Sequence, residues 1–151
     1  MNSLSFEPLN HSTLRFFNEV RNLSADQLHD SRIFTLEETK IWFQKENKTK
    51  YWLIHFNHKP VGYFRLAQIS KSEFQIGADI HPNFRRMGIA YLAYRNFAQD
   101  ILDKKNIETV SLKVLRNNFN AIKLYLKLGF EIVGESNFDY LMQIKLSELM
   151  N

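Results

Sequence analysis

The chain contains no cysteine. Disulfides, thiolate nucleophiles, Cys-ligated zinc and iron–sulfur clusters are therefore excluded together, and any chemistry must use other groups. Proline and glycine are also scarce, three and five residues among 151, which rules out collagenous and linker-like readings. No internal repeat is present, and no window approaches the roughly 18 uninterrupted apolar residues of a membrane span. Met1 to Pro8 lacks the basic and apolar regions of a leader, so the expected location is cytoplasmic, with no membrane partner. The five histidines, His11, His29, His55, His58 and His81, are too scattered for a metal site. His55 and His58 lie at a hairpin where they need not converge, so no metal is expected.

What is present fits one domain spanning residues 1–151. The apolar fraction is 44% and the aromatic fraction 14%, including 13 Phe, enough for a sizeable core at this length. The formal net charge of +4 suits a polyanionic small molecule as well as a nucleic acid. The Arg and Lys residues are dispersed and the aromatics fall in patterns for burial, so no nucleic-acid partner is expected. Trp42, Phe43 and Trp52 read as core, not as a base-stacking platform.

Hydrophobic periodicity divides the chain into alternating elements. Ser5 to Pro8 suggests a short strand, and Leu14 to Asn22 has helical spacing. Thr35-Leu36-Glu37-Glu38 has the capping-box form, a hydroxyl followed three residues later by a carboxylate, and predicts a helix to about Glu46. From Tyr51 the period becomes two, giving a hairpin that turns at Asn57 to Pro60, then a strand from Glu73 to Ile80. Gly88 to Lys105 reads as one long amphipathic helix, and Val110 to Val114 as a strand. Asn118 is an N-cap for a helix ended by Gly129. Phe130 to Glu135 and Tyr140 to Leu146 read as closing strands. This order implies an α/β layered fold around a mixed sheet.

Two segments carry chemistry. In Ile80-His81-Pro82-Asn83-Phe84-Arg85-Arg86-Met87-Gly88-Ile89-Ala90 a strand ends, a basic loop turns and a helix begins at a glycine. Such a loop aims unpaired amides and the positive end of a helix dipole at one point, and Arg85 and Arg86 add charge; a pyrophosphate needs this arrangement. No Gly-Lys-Ser/Thr and no three-glycine dinucleotide pattern follows. The second segment, Asn118-Phe119-Asn120-Ala121-Ile122-Lys123-Leu124-Tyr125-Leu126-Lys127-Leu128-Gly129-Phe130, resembles the Asn-x-x-Ala-x-x-Leu-Tyr-x-Lys-x-Gly-Phe motif of the GNAT N-acetyltransferase superfamily. Arg85 to Ala90 is similar to that superfamily's (Gln/Arg)-x-x-Gly-x-(Gly/Ala) acetyl-CoA loop, in the right order and spacing.

The resemblance spans essentially the whole chain. It implies a mixed, mostly antiparallel central sheet flanked by about four helices and splayed open between the strands ending at Ile80 and near Leu115. The pantetheine arm of acetyl-CoA would lie in the gap, paired with the backbone at Asp79 to His81. The implied cofactor contacts are Ile80, His81, Arg85, Arg86, Met87, Gly88, Ile89, Ala90, Asn118 and Tyr125, and Tyr125 would also act as general acid toward the CoA sulfur. Many relatives place a Glu five residues before the Asn, where this chain has Lys113. Amine deprotonation is then expected to pass through water to Asp79 or His81, with Asp79 favoured, or the neutral amine is taken from solution.

On the acceptor side, Val20 to Asn22 and Thr35 to Phe43 resemble the branch containing nucleotide-linked amino-sugar N-acetyltransferases. This implies a small-molecule primary amine contacted by Arg21, Asn22 and Arg32. The alternatives are a peptide or protein N-terminal acetyltransferase of the ribosomal-protein type, or a catalytically silent CoA-binding module. The expected assembly is a monomer or homodimer.

Overall fold

The computed structural model describes residues 2–151. Its elements run β1 (Leu4–Pro8), α1 (Leu14–Leu23), α2 (Leu36–Lys45), β2 (Thr49–Phe56), β3 (Lys59–Gln68), β4 (Glu73–Ile80), α3 (Ile89–Asp100), β5 (Thr109–Leu115), α4 (Phe119–Leu128), β6 (Glu131–Glu135), β7 (Asp139–Lys145) and α5 (Leu146–Met150). The seven strands form one sheet in the order β1-β2-β3-β4-β5-β7-β6. Every neighbouring pair is antiparallel except β4 and β5. The result is the expected mixed, mostly antiparallel α/β architecture.

Strand alternation gives the sheet two differently furnished faces. One face carries Ile54, Phe64, Leu66, Ile76, Val110, Leu112, Met142 and Ile144, which join Ala93, Phe97 and Leu149 in the larger core. Phe64 lies at its centre, stacked on Phe97 at 4.3 Å between ring centroids and edge-on to Tyr94 at 5.1 Å. The other face carries Leu53 and Tyr63, which pack with Leu14, Phe17 and Val20 in a second cluster. There Phe17 stacks on Trp42 at 5.4 Å and tilts against Tyr63 at 4.5 Å. The aromatics thus serve burial, as their patterning indicated.

The local signals account for most boundaries. The capping box at α2 forms as the sequence predicts: the Glu38 amide donates to Thr35 Oγ1 at 3.1 Å and the Thr35 amide donates to Glu38 Oε1 at 3.0 Å. The strand Glu73–Ile80 has the expected bounds. Two expectations change. The predicted helix from Gly88 to Lys105 ends at Asp100 and continues as a tighter 3₁₀ turn, Leu102–Lys105, closed by Asn106 in the left-handed region. Asn tolerates that conformation better than most residues, and it turns the chain back toward β5. The terminal helix α5 is an addition, anchored by buried Leu146 and Leu149, so five helices flank the sheet and not about four.

The feature that positions the site is the short pairing of β4 with β5. Only Glu73, Phe74 and Gln75 are in register with Thr109, Val110 and Ser111; beyond them the two strands part. Replacing Phe64, fully buried at the centre of the larger core, by Ala should lower unfolding stability by about 3–5 kcal/mol. A denaturant titration checks this through a lower midpoint with an unchanged slope.

Candidate active site

Where β4 and β5 separate, a cavity of about 680 Å³ opens between Ile76–Ile80 and Lys113–Leu115. The two strands run parallel, so the N-termini of α3 and α4, which follow them, flank the same mouth. Asn118 caps α4, accepting from the Ala121 amide at 3.3 Å. At α3 the N-cap is Gly88, with φ of 76° and no capping side chain. A Cβ built on Gly88 would meet nothing within 4 Å, and the amides of Gly88, Ile89 and Ala90 make no hydrogen bond among the described residues. Free amides, a helix dipole and open space together suit a phosphate-bearing ligand.

The β4 edge supplies a second row of free groups. The His81 amide donates to the Val61 carbonyl at 2.8 Å, and Tyr63 opposes Asp79 as Arg65 opposes Gly77. Antiparallel alternation then spends the backbone groups of Gly77, Asp79 and His81 on β3 and turns those of Ala78 and Ile80 toward the gap. Within the expected stretch Asp79 to His81, the backbone groups that face the gap are therefore those of Ile80, with Ala78 before it, while those of Asp79 and His81 pair with β3. The Ile80 carbonyl already accepts from Arg85 Nε at 2.8 Å, which leaves the two amides free.

Of the residues assigned from sequence, Asp79, Ile80, Arg85, Arg86, Gly88, Ile89, Ala90, Asn118 and Tyr125 line the cavity. Arg85 also spans to the far side, its Nη2 donating to the buried Ser24 hydroxyl at 3.0 Å. Met87 points outward, 59% exposed. The His81 side chain does not line the cavity; its Nδ1 accepts from the Asn83 amide and its ring stacks near Phe16. Arg21, Asn22 and Arg32 also lie outside the cavity lining. Arg21 donates to the carbonyls of Asp30 and Arg32, Asn22 bonds both backbone groups of Phe34, and Arg32 pairs with Asp30 at 2.7 Å. The segment between α1 and α2 lacks ladder partners for its backbone, and these side chains provide them. The loop they hold brings Gln27, Leu28 and His29 to the cavity instead.

Two titratable groups enter from opposite sides. Tyr125 comes from α4; burial raises its phenol above the usual tyrosine value. The Tyr94 hydroxyl donates to it at 3.4 Å, so the Tyr125 proton is left for a group in the slot. Asp79 comes from the α1/α2 side, where the Tyr63 hydroxyl donates to its Oδ2 at 2.5 Å. Burial raises its carboxyl above the ordinary range, opposed by the Tyr63 hydrogen bond and by the charges of Arg65, Arg85 and Arg21. Arg65 is the residue that sequence reasoning missed. It is the single charged residue in the interior of β3, Pro60–Ala67, a visible signal whose meaning depends on the register with β4.

The family model for the acetyltransferase (GNAT) family matches residues 16–130. The chain belongs to this family. It is an acetyl-CoA-dependent N-acetyltransferase, and the loop and motif read from its sequence lie where the cavity opens. No curated protein sequence matches it significantly. Among solved structures, spermidine N-acetyltransferase from Vibrio cholerae in complex with CoA and spermine has a TM-score of 0.82 at 20% identity, covering 98% of each chain. A domain from Methanocaldococcus jannaschii has a TM-score of 0.83 at 17% identity over 96% of this chain and 99% of that one. An N-acetyltransferase from Staphylococcus aureus Mu50 has a TM-score of 0.77 at 15% identity over 95% and 99%. These likenesses speak to the fold. Among the described residues no group of three or more His, Asp or Glu side chains converges on a metal-binding point, and no helix is long and apolar enough to cross a membrane.

The free β4 edge can be tested directly. Ala78→Pro removes one amide from the gap and leaves the β3 ladder intact. It should weaken acetyl-CoA binding about tenfold, the worth of about one hydrogen bond, while thermal stability changes little. Calorimetric titration beside a melting curve checks both. Gly88→Glu, which puts a carboxylate into the open space at the N-terminus of α3, should weaken binding at least as much.

Proposed function

We propose that the protein moves the acetyl group of acetyl-CoA to the primary amine of a small molecule, a nucleotide-linked amino sugar being the acceptor its sequence favours. The observation that carries this reading is the slot itself, into which a half-buried carboxylate and a buried phenol open from opposite sides. The free amides at Gly88 to Ala90 and at Ala78 and Ile80 would hold the cofactor's phosphates and arm, and the cofactor supplies the acetyl thioester.

The residues then divide the proton work. An ammonium is not nucleophilic, so one proton must leave the acceptor nitrogen. Asp79, more basic than a solvated carboxylate, takes it directly or through water. Tyr125, kept neutral by burial, delivers its proton to the sulfur as the thioester bond breaks and regains one from solvent. Lys113, in the position where relatives carry Glu, stands across the slot as a cation and takes no part as a base. Arg21, Asn22 and Arg32 act on the acceptor through the loop they fix.

The experiment is CoA-thiol release from acetyl-CoA with a panel of amines. A sugar nucleotide bearing a free amine should give a higher kcat/KM than the free amino sugar. Efficient transfer to short peptides with every sugar nucleotide inert would establish the peptide N-terminal reading instead. Tyr125→Phe keeps the ring and should lower kcat by about 10²–10⁴ with CoA affinity nearly unchanged. The Asp79 carboxylate must be deprotonated to act, so the rate falls as pH drops through its raised pKa, and that limb lies above the normal carboxylate range. In Asp79→Asn the limb should vanish, leaving a rate that climbs with pH as the free amine accumulates.

A further inference from the structure

Among the described residues five cationic side chains line the slot, Arg65, Arg85, Arg86, Lys113 and Lys127, against the single carboxylate of Asp79. Two of them stand on the helix side, Arg86 in the loop before α3 and Lys127 on α4, over the Tyr91 ring at 4.8 Å; Arg85 leaves the same loop but its guanidinium is spent on the Ile80 carbonyl and the Ser24 hydroxyl. Arg65 and Lys113 belong to a different place. They are on β3 and β5, on the strand face shared with Tyr63 and Asp79, away from the loop amides suited to the cofactor's phosphates. Lys113 is solvent-exposed across the gap.

Arg65 is held without being used. Its guanidinium lies against Gly77, where a Cβ would come within 2.1 Å of Nη2, so the absent side chain is what lets the cation reach the slot. Its hydrogen-bonding fork makes no hydrogen bond and no ion pair within 4.0 Å among the described residues. The nearest carboxylate by sequence register, Asp79, already accepts from Tyr63. A half-buried guanidinium whose donors meet no protein acceptor and open into the slot can offer its fork to a planar oxyanion.

We infer that Arg65, with Lys113 opposite it, forms an anion subsite for the acceptor, so that the enzyme selects amines that carry a carboxylate or phosphate over neutral or polycationic amines. This rests on the acetyl-transfer reading above and narrows it: the substrate is an amine with an oxyanion on the same molecule. A polyamine would add positive charge to a slot that already has five cations and one anion. The subsite also explains how an ammonium is drawn beside Asp79 despite those cations, because the acceptor's own oxyanion is the group they attract.

The test uses acceptor pairs that differ only in the anion, ethanolamine with phosphoethanolamine and glycinamide with glycine, and spermidine as the polycationic control. At saturating acetyl-CoA the anionic member of at least one pair should have a kcat/KM at least tenfold higher, and the pair that shows it identifies phosphate or carboxylate. Arg65→Gln should bring that ratio close to one, mainly through KM of the anionic acceptor, with KM for acetyl-CoA changed less than twofold. A loss shared equally by both members of a pair, or a preference for spermidine, overturns the inference and leaves acetyl transfer standing. If no member of the panel is acetylated, CoA-saturated protein is titrated with inorganic phosphate and with acetate. Saturable binding that Arg65→Gln weakens at least fivefold upholds the subsite, and equal or absent binding in both proteins ends it. Failure of acetyl-CoA to bind at all would instead remove the acetyl-transfer reading. Gly77→Ala, which leaves Arg65 in place chemically but pushes its guanidinium from its seat, should reproduce the Arg65→Gln effect if that variant does not fold.

Discussion

The structure depends on a seam in its own sheet. β4 and β5 are in register over three residue pairs and then part, which forgoes several ladder hydrogen bonds near the middle of a seven-stranded sheet. A sealed cavity would make this costly, because an unpaired buried amide costs about 1–3 kcal/mol. The seam avoids the penalty by remaining open at the mouth between the α3 and α4 N-termini. The sheet thus presents an edge inside the molecule, with a loop rich in free amides at its end and a different set of side chains on each side.

The two sides divide the chemistry by charge and polarity. Toward α3 and α4 the slot is walled by Ile76, Ile89, Leu124 and the tyrosines Tyr94 and Tyr125, where a phenol stays protonated because charging it in that environment is costly. Burial and the nearby Asp79 charge raise the Tyr63 hydroxyl well above its usual value as well, so it is a dependable donor to that carboxylate. Arg65 is pulled down by burial and pushed up by Asp79 and the surrounding tyrosines, with the upward influence prevailing. Aspartate, arginine and tyrosine therefore form one charge set around Gly77, and a change in any of them is felt by the others.

Sequence pattern and structure agree where the signal is local. Thr35 with Glu38, Asn118 with Ala121, and the alternation from Phe74 to Ile80 each encode their own geometry within four to eight residues. The α3 boundary failed because Ile101 and the fully buried Leu102 continue the apolar pattern into a 3₁₀ turn that a helical reading absorbs. The helix α5 was missed because five residues following a strand show too little periodicity to be separated from it. The site was legible to the same degree: the loop at Gly88 and the motif at Tyr125 are contiguous in sequence, whereas the place of Arg65 exists only through its register with Gly77. Arg21, Asn22 and Arg32 looked available for a ligand because a sequence does not reveal that an irregular segment needs side chains to satisfy its own carbonyls.

The inward-facing edge at Ala78 and Ile80 has a thermodynamic consequence. With nothing from the protein to bond, these amides face solvent, so whatever enters exchanges water for an extended polar backbone and covers the apolar wall of Ile76 and Leu124 in the same event. Association at this seam is therefore accompanied by water release and a negative heat-capacity change, a signature closer to that of adding a strand to a sheet than to that of a charged ligand meeting an exposed basic surface.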